Sequence, residues 1–186
     1  MKPLRIAILA SGRGSVIPRV IAAINSKQLN AKIAVIISNK ADADVLRLAE
    51  SYNIEAKYIS SEQLISQTLK QHNIELILLI GYMKILSHTF VDEWRNKILN
   101  VHPSLLPAFA GLMDLKLHQA VLNAGVKETG CTVHLATEKL DAGPILLQKK
   151  CSVYATDTPQ TLKQRVQKLE GEALVEAIKK WQEIYG

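Results

Sequence analysis

The apolar positions of this chain come in short blocks whose spacing alternates between two regimes. "LRIAILA" (4–10), "AKIAVIIS" (31–38), "AKYIS" (56–60) and "ELILLIG" (75–81) are runs rich in branched apolar residues, the pattern of strands buried on both faces. Between them, "VIPRVIAAINSK" (16–27), "DADVLRLAESYN" (42–53) and "SEQLISQTLKQHN" (61–73) space their apolar residues as helices do. Pro18 is tolerable in a first helical turn, and Asp42 is a candidate cap for the second helix. Strands alternating with helices in this way predict an α/β fold of three layers, a Rossmann-like, mostly parallel sheet flanked by helices.

After residue 96 the pattern changes. "KILNVHP" (97–103) reads as one more strand, and "LKLHQAVLNAG" (115–125) as a short helix closed by Gly125. "GCTVHLAT" (130–137) and "PILLQKKCSVY" (144–154) read as alternating strands, an antiparallel extension of the sheet. Residues 158–185 form a long amphipathic helix with a break expected near Gly171. With no repeat and no Pro-, Gly- or Ser-rich linker, the expectation is one domain over 1–186, made of halves 1–96 and 97–186.

Composition narrows the function classes. Hydrophobic residues are 48% and charged residues 22%, the balance of a globular chain, and no 18-residue apolar stretch points to a membrane span. The N-terminal apolar run is too short for a signal peptide and ends in turn residues, so a cytoplasmic protein is expected. The net charge of +6 favours anionic ligands, but the Lys and Arg residues are scattered and aromatics are only 5%. A phosphorylated or carboxylated small molecule therefore fits better than a nucleic acid. Cys131 and Cys151 match neither a zinc nor a CxxC pattern and read as buried, reduced thiols.

Four segments carry candidate chemistry. "SGRGS" (11–15) follows the first strand and precedes the first helix, where inward backbone N–H groups and a helix N-terminus suit a phosphate. It is neither GxGxxG nor a P-loop. In the strand at 97–103, Asn100 and His102 are two residues apart and share a face. An amide there can donate to a developing oxyanion, and an imidazole can donate or accept a proton. In "EKLDAGPIL" (138–146), Asp141 opens a turn, and its carboxylate would raise the pKa of a nearby imidazole. "GYMKIL" (81–86) is an apolar segment at a strand end that can receive a flat heterocycle, if it is not core filler. The histidines at 72, 88, 102, 118 and 134 make no zinc motif, and no GxSxG elbow is present.

Taken in order, these blocks resemble the phosphoribosylglycinamide formyltransferase family over nearly the whole chain. The resemblance rests on "ILASGRGS", "SNKADA" (38–43), "GYMKIL", "ILNVHPSLLPAF" (98–109), "GCTVH" (130–134), "LDAGPILLQ" (140–148) and "RVQKLE" (165–170). It implies the formyltransferase fold and transfer of a formyl group from 10-formyltetrahydrofolate, a co-substrate, to the glycine amine of glycinamide ribonucleotide, without a metal. Asn100, His102 and Asp141 would be catalytic: Asn100 and His102 would polarise the formyl oxygen and stabilise the tetrahedral oxyanion, and Asp141 would hold His102 protonated and, with a bound water, relay protons, with His118 and His134 in supporting positions. Gly14, Ser15, Val16, Gln167 and Glu170 would bind the ribonucleotide. Met83, Lys84, Ile85 and Leu86, with Asn100, would line the folate site. The 1–96 half would thus hold the ribonucleotide phosphate, and 97–186 catalysis and folate.

The chain differs from the family pattern at Val16 (usually Asn), Lys84 (commonly Arg), Gly171 (usually His), a short 60–66 region and about three extra residues within 108–118. The partners implied are small molecules, with no nucleic acid or membrane, for a monomer or homodimer. Sibling folate formyltransferases or hydrolases are disfavoured by chain length, and the alternative from another class is a folate- or nucleotide-binding module with reduced activity.

Overall fold

A computed structural model describes residues 2–186. The elements run β1 (Leu4–Leu9), α1 (Ile17–Asn25), β2 (Ala31–Ser38), α2 (Asp44–Ser51), β3 (Ala56–Tyr58), α3 (Glu62–Gln71), β4 (Leu76–Leu79), α4 (His88–Glu93), β5 (Ile98–His102), α5 (Asp114–Asn123), β6 (Glu128–Leu135), β7 (Ile145–Ser152) and α6 (Pro159–Tyr185). The strands form a seven-stranded mixed sheet in the order β3-β2-β1-β4-β5-β6-β7. Two compact units divide the chain, Met1–Asn100 and Val101–Gly186.

In the first unit β1 pairs in parallel with both β2 and β4, β2 with β3, and β4 with β5. Ile6, Ile8 and Leu9 of β1 and all four residues of β4 are buried. Strands of this kind need cover on both faces, which explains their unbroken apolar runs. Pro18 lies in the first turn of α1, as expected. Asp42 does not cap α2. The cap position is Ala43, which offers no side-chain oxygen, while Asp44 sits inside the first turn, where its charge suits the helix dipole. The sequence reading also lacked α4, whose six residues are too few to show a period; Ser87 caps it by accepting from the Phe90 N–H at 3.2 Å.

In the second unit β6 and β7 are antiparallel. β7 alternates in burial as expected of a sheet edge, whereas β6 is buried at every position after Glu128. The alternation expected for 130–137 fails because β6 lies inside the sheet order and packs against α6. Helix α6 runs unbroken through Gly171. Gly171 is buried with Glu170, Ala173 and Leu174, and packing of that face outweighs the roughly 1 kcal/mol that an interior glycine costs. Gly125 (φ +63°) follows α5 and ends it, as its left-handed backbone requires.

Candidate active site

β5 presents Asn100 and His102 on one side of the strand, and the segment after it is fastened by side chains from β6 and β7. Thr132 Oγ1 donates to the Ser104 carbonyl (2.7 Å) and accepts from the Leu106 N–H (3.0 Å). Gln148 Nε2 donates to the Leu106 carbonyl and to Thr132 Oγ1, each at 2.9 Å. Ser104 Oγ donates to the Ala108 carbonyl at 2.6 Å, and the Leu106–Pro107 peptide is cis. The hydrogen bonds that hold this backbone fix the position of His102, which is only 4% exposed.

Asp141 meets that imidazole. Its Oδ2 lies 3.3 Å from His102 Nδ1 and accepts the Gly111 N–H at 2.8 Å; its Oδ1 lies 3.6 Å from His134 Nε2. The approach depends on Gly143, where a Cβ would fall 1.8 Å from the Leu135 carbonyl oxygen, so only glycine lets the 141–144 turn lie against the end of β6. Burial works against ionising Asp141, but hydrogen bonding from His134 and Gly111 and the His102 charge outweigh it and hold the carboxyl below its ordinary value. His102 moves the other way from the expectation. Burial pulls its pKa below the ordinary imidazole value, and the Asp141 charge and the Phe109 carbonyl oppose this only in part. Burial and the Asp141 charge thus act on the His102 imidazole in opposite senses.

The two supporting histidines part company. His134 joins Asp141, with its Nδ1 at 2.9 Å from the Leu135 carbonyl oxygen. His118, on α5, is buried with its Nδ1 lacking a hydrogen-bond partner, and burial with the nearby Lys163 charge lowers its pKa to about 4. Its charged neighbours are Lys163 and Asp114, not Asp141, so the structure gives it a place in the α5–α6 packing.

On α6, Gln167 and Glu170 are three residues apart and share a helix face. Glu170 is 7% exposed, and burial, opposed by the Lys163 charge, pushes its carboxyl up to about 7. A carboxyl whose folded pKa is raised favours folding below its unfolded pKa, and that contribution is lost as pH rises through the folded value. Glu170→Gln should therefore stabilise the ligand-free protein by up to about 3 kcal/mol at about pH 8 and leave it nearly unchanged at about pH 4. Urea titrations at the two pH values measure this. An equal effect at both would refute the linkage.

In the first unit, the "SGRGS" turn adopts a glycine-dependent shape. Gly14 has φ +66°, and a Cβ there would lie 2.7 Å from both Ile17 Cδ1 and Val45 Cγ2. Gly14→Ala should cost about 1–3 kcal/mol, combining the strained backbone with overpacking, and urea unfolding reads it directly. Ser15 is exposed, whereas the Val16 side chain is buried. Val16 occupies the N-cap position of α1 and makes no side-chain cap, so any ligand contact from it runs through the backbone. Met83 is 49% and Ile85 71% exposed, which rules out core filler for "GYMKIL" at these positions. Leu86 is half-buried, and Lys84 Nζ donates to the Ser60 carbonyl at 3.0 Å and lies 3.9 Å from Glu62.

Three contributors escaped the sequence reading. The Phe109 carbonyl lies 3.2 Å from His102 Nε2, and Gly111 supplies its N–H to Asp141. Both act through the backbone, which side-chain identity does not reveal; the Gly at 111 was the available signal. Ser11 is the third. Its hydroxyl donates to Asn39 Oδ1 (2.6 Å) and accepts from the Met83 N–H (2.8 Å), tying the glycine turn to the 81–86 segment.

Residues 4–178 match the formyl transferase family model. A phosphoribosylglycinamide formyltransferase of Bacillus subtilis is 37% identical over 175 residues, 89% of this chain and 88% of that protein. The trifunctional purine biosynthetic protein adenosine-3 of Gallus gallus is 40% identical over 184 residues, and the chain spans only 18% of its length. The crystal structure of a phosphoribosylglycinamide formyltransferase from Brucella melitensis is 38% identical, with a TM-score of 0.89 covering 100% of this chain and 97% of that one. On the match over 4–178 and the fold shared with that crystal structure, the chain belongs to the formyl transferase family.

Proposed function

We propose that this protein transfers the formyl group of 10-formyltetrahydrofolate to the glycine amine of glycinamide ribonucleotide, a step of de novo purine synthesis. The observation that carries the reading is the buried His102–Asp141 pair, 3.3 Å apart, at the end of the strand that also bears Asn100. The match to relatives named for this activity supports the choice of substrates.

In this reading the amine attacks the formyl carbon, a C–N bond forms and the carbonyl electron pair moves onto oxygen. The Asn100 amide donates to that oxyanion. The attacking nitrogen becomes an ammonium and must lose a proton; neutral His102 accepts it and becomes an imidazolium beside the Asp141 carboxylate. The oxyanion then collapses, the bond to the folate nitrogen breaks, and that nitrogen takes the proton from His102. Proton and charge counts return to their starting values, and no covalent enzyme intermediate or metal is invoked. His134, on the far oxygen of Asp141, holds the carboxylate in place.

Gly14, Ser15 and the Val16 backbone N–H are assigned to the ribonucleotide phosphate, and Gln167 and Glu170 to its ribose end. Met83, Lys84, Ile85 and Leu86 are assigned to the folate, with Asn100. The 1–96 half then serves phosphate binding and 97–186 catalysis and the folate. The proposed setting is the cytoplasm, with small-molecule partners and a monomer or homodimer. None of the helices among the described residues is long and apolar enough to cross a membrane.

The test is loss of 10-formyltetrahydrofolate absorbance with and without glycinamide ribonucleotide. Loss that requires the ribonucleotide is expected. Loss without it would make the protein a deformylase, and ligand binding without any loss would make it a binding module.

A further inference from the structure

The 108–118 segment, about three residues longer than the family pattern, runs beside the proposed catalytic pair with little apolar cover. Residues 111–116 are all exposed, Leu112, Met113 and Leu115 among them, so hydrophobic burial does little to hold them. The backbone there is also strained. Phe109 (φ +60°) and Asp114 (φ +53°) are left-handed, as is Gly111 between them. Elsewhere Lys27, Asn53, Asn73 and Asn96 share this conformation, but each follows the end of a helix, where it is an ordinary terminator. Asp114 instead stands where α5 begins, and Met113 before it makes no side-chain cap. A conformation of this kind persists only where surrounding groups hold it.

A hold on Asp114 comes from α6, where the Lys163 ammonium pairs with its carboxylate. The Lys163 side chain is 19% exposed and that of Asp114 63%, so the cation is the fixed member of the pair. Lys163 stands four and seven residues before Gln167 and Glu170, on the same face of α6. Three residues before Asp114, the Gly111 N–H donates to Asp141 Oδ2 at 2.8 Å. We propose that Lys163 is a positioning residue: by pairing with Asp114 it latches the exposed 109–114 turn to α6 and so keeps the Gly111 N–H on the Asp141 carboxylate. The longer segment thus carries its own anchor. Neither Lys163 nor Asp114 lies in the blocks that carry the family resemblance. An exposed pair biases an equilibrium by no more than about fivefold. That is enough to set how often a weakly held turn opens, and too little to govern the stability of the whole protein.

The latch rests on the formyl-transfer reading for its catalytic meaning, but its hold on the turn is measured separately. Hydrogen exchange of the Gly111 amide in the ligand-free protein reports how often the turn opens, and steady-state kinetics report the consequence. Lys163→Met removes the cation and keeps most of the stem. Asp114→Asn removes the anion, and asparagine tolerates the left-handed backbone. Each should speed Gly111 exchange by about threefold to fivefold and lower kcat about threefold. KM for the ribonucleotide should stay within about twofold, because Gln167 and Glu170 keep their places on α6. The double variant should show no more than either single one. Lys163→Arg, which keeps the charge, should behave as the wild type. Potassium chloride at about 1 M should speed Gly111 exchange in the wild type more than in Lys163→Met. If Lys163→Met does not fold, Asp114→Asn, at an exposed side chain, decides alone. Unchanged Gly111 exchange in the single variants would overturn the proposal. So would effects that add in the double variant, or faster exchange with an unchanged kcat. Faster exchange in the variants of a protein that transfers no formyl group would leave Lys163 as the holder of the turn and discard only the proposed reaction.

Discussion

Replacing His102 with glutamine is expected to lower kcat for formyl transfer on the order of 10³-fold while the folded state survives. The imidazole is asked to take a proton from the attacking amine and return one to the departing nitrogen, and general acid–base catalysis of this kind is worth about 10²–10⁴-fold. Glutamine fills much of the same volume and can still donate to the Phe109 carbonyl, 3.2 Å from Nε2 in the native protein. It cannot carry a proton. KM for either substrate should change by less than about fivefold, because the loss falls on an interaction made in the transition state. Steady-state kinetics with circular dichroism on the same sample make the comparison. Activity near the wild-type rate in a folded variant would remove His102 from the reaction.

Asp141→Asn is the second large effect. The carboxylate opposes the burial that lowers the His102 pKa, and it would neutralise the imidazolium formed during reaction. Asparagine can keep the Gly111 N–H bond, 2.8 Å in the native protein, but supplies no charge. The rate should fall about 100-fold, the scale of losing one well-placed electrostatic partner. The sign of the pH effect follows from the same contact. Activity rises with pH as His102 loses its proton, the Asp141 charge raises the pKa of that step, and its removal should shift the acidic limb of kcat to lower pH. A limb that stays in place, or moves to higher pH, would show that Asp141 does not act on His102 through its charge.

Much of this was legible in the chain because the signals were of the right kind. Unbroken apolar runs at 4–10, 31–38 and 75–81 could only be strands covered on both faces, and these are β1, β2 and β4. The two-residue spacing of Asn100 and His102 placed them together on β5, and "DAGP" marked the turn that carries Asp141. What failed did so for physical reasons. Gly171 looks like a helix breaker only while its neighbours are unknown; in α6 it is buried among Glu170, Ala173 and Leu174. Asp42 is a good cap by type, but the chain enters α2 one residue later. The burial that lowers the His102 pKa comes from elements distant in sequence, which no local motif encodes. Likewise the hold on His102 and Asp141 comes from a carbonyl and an amide, groups that every residue carries.

The most direct test of the central claim is a single-turnover reaction with 10-formyltetrahydrofolate labelled at the formyl carbon, excess enzyme and glycinamide ribonucleotide, quenched and separated by mass. The account predicts that the label appears on the glycine nitrogen of the ribonucleotide, at the rate at which the folate loses it, in the wild-type protein and not in His102→Gln. Label recovered as free formate, or transferred equally well by His102→Gln, would contradict it.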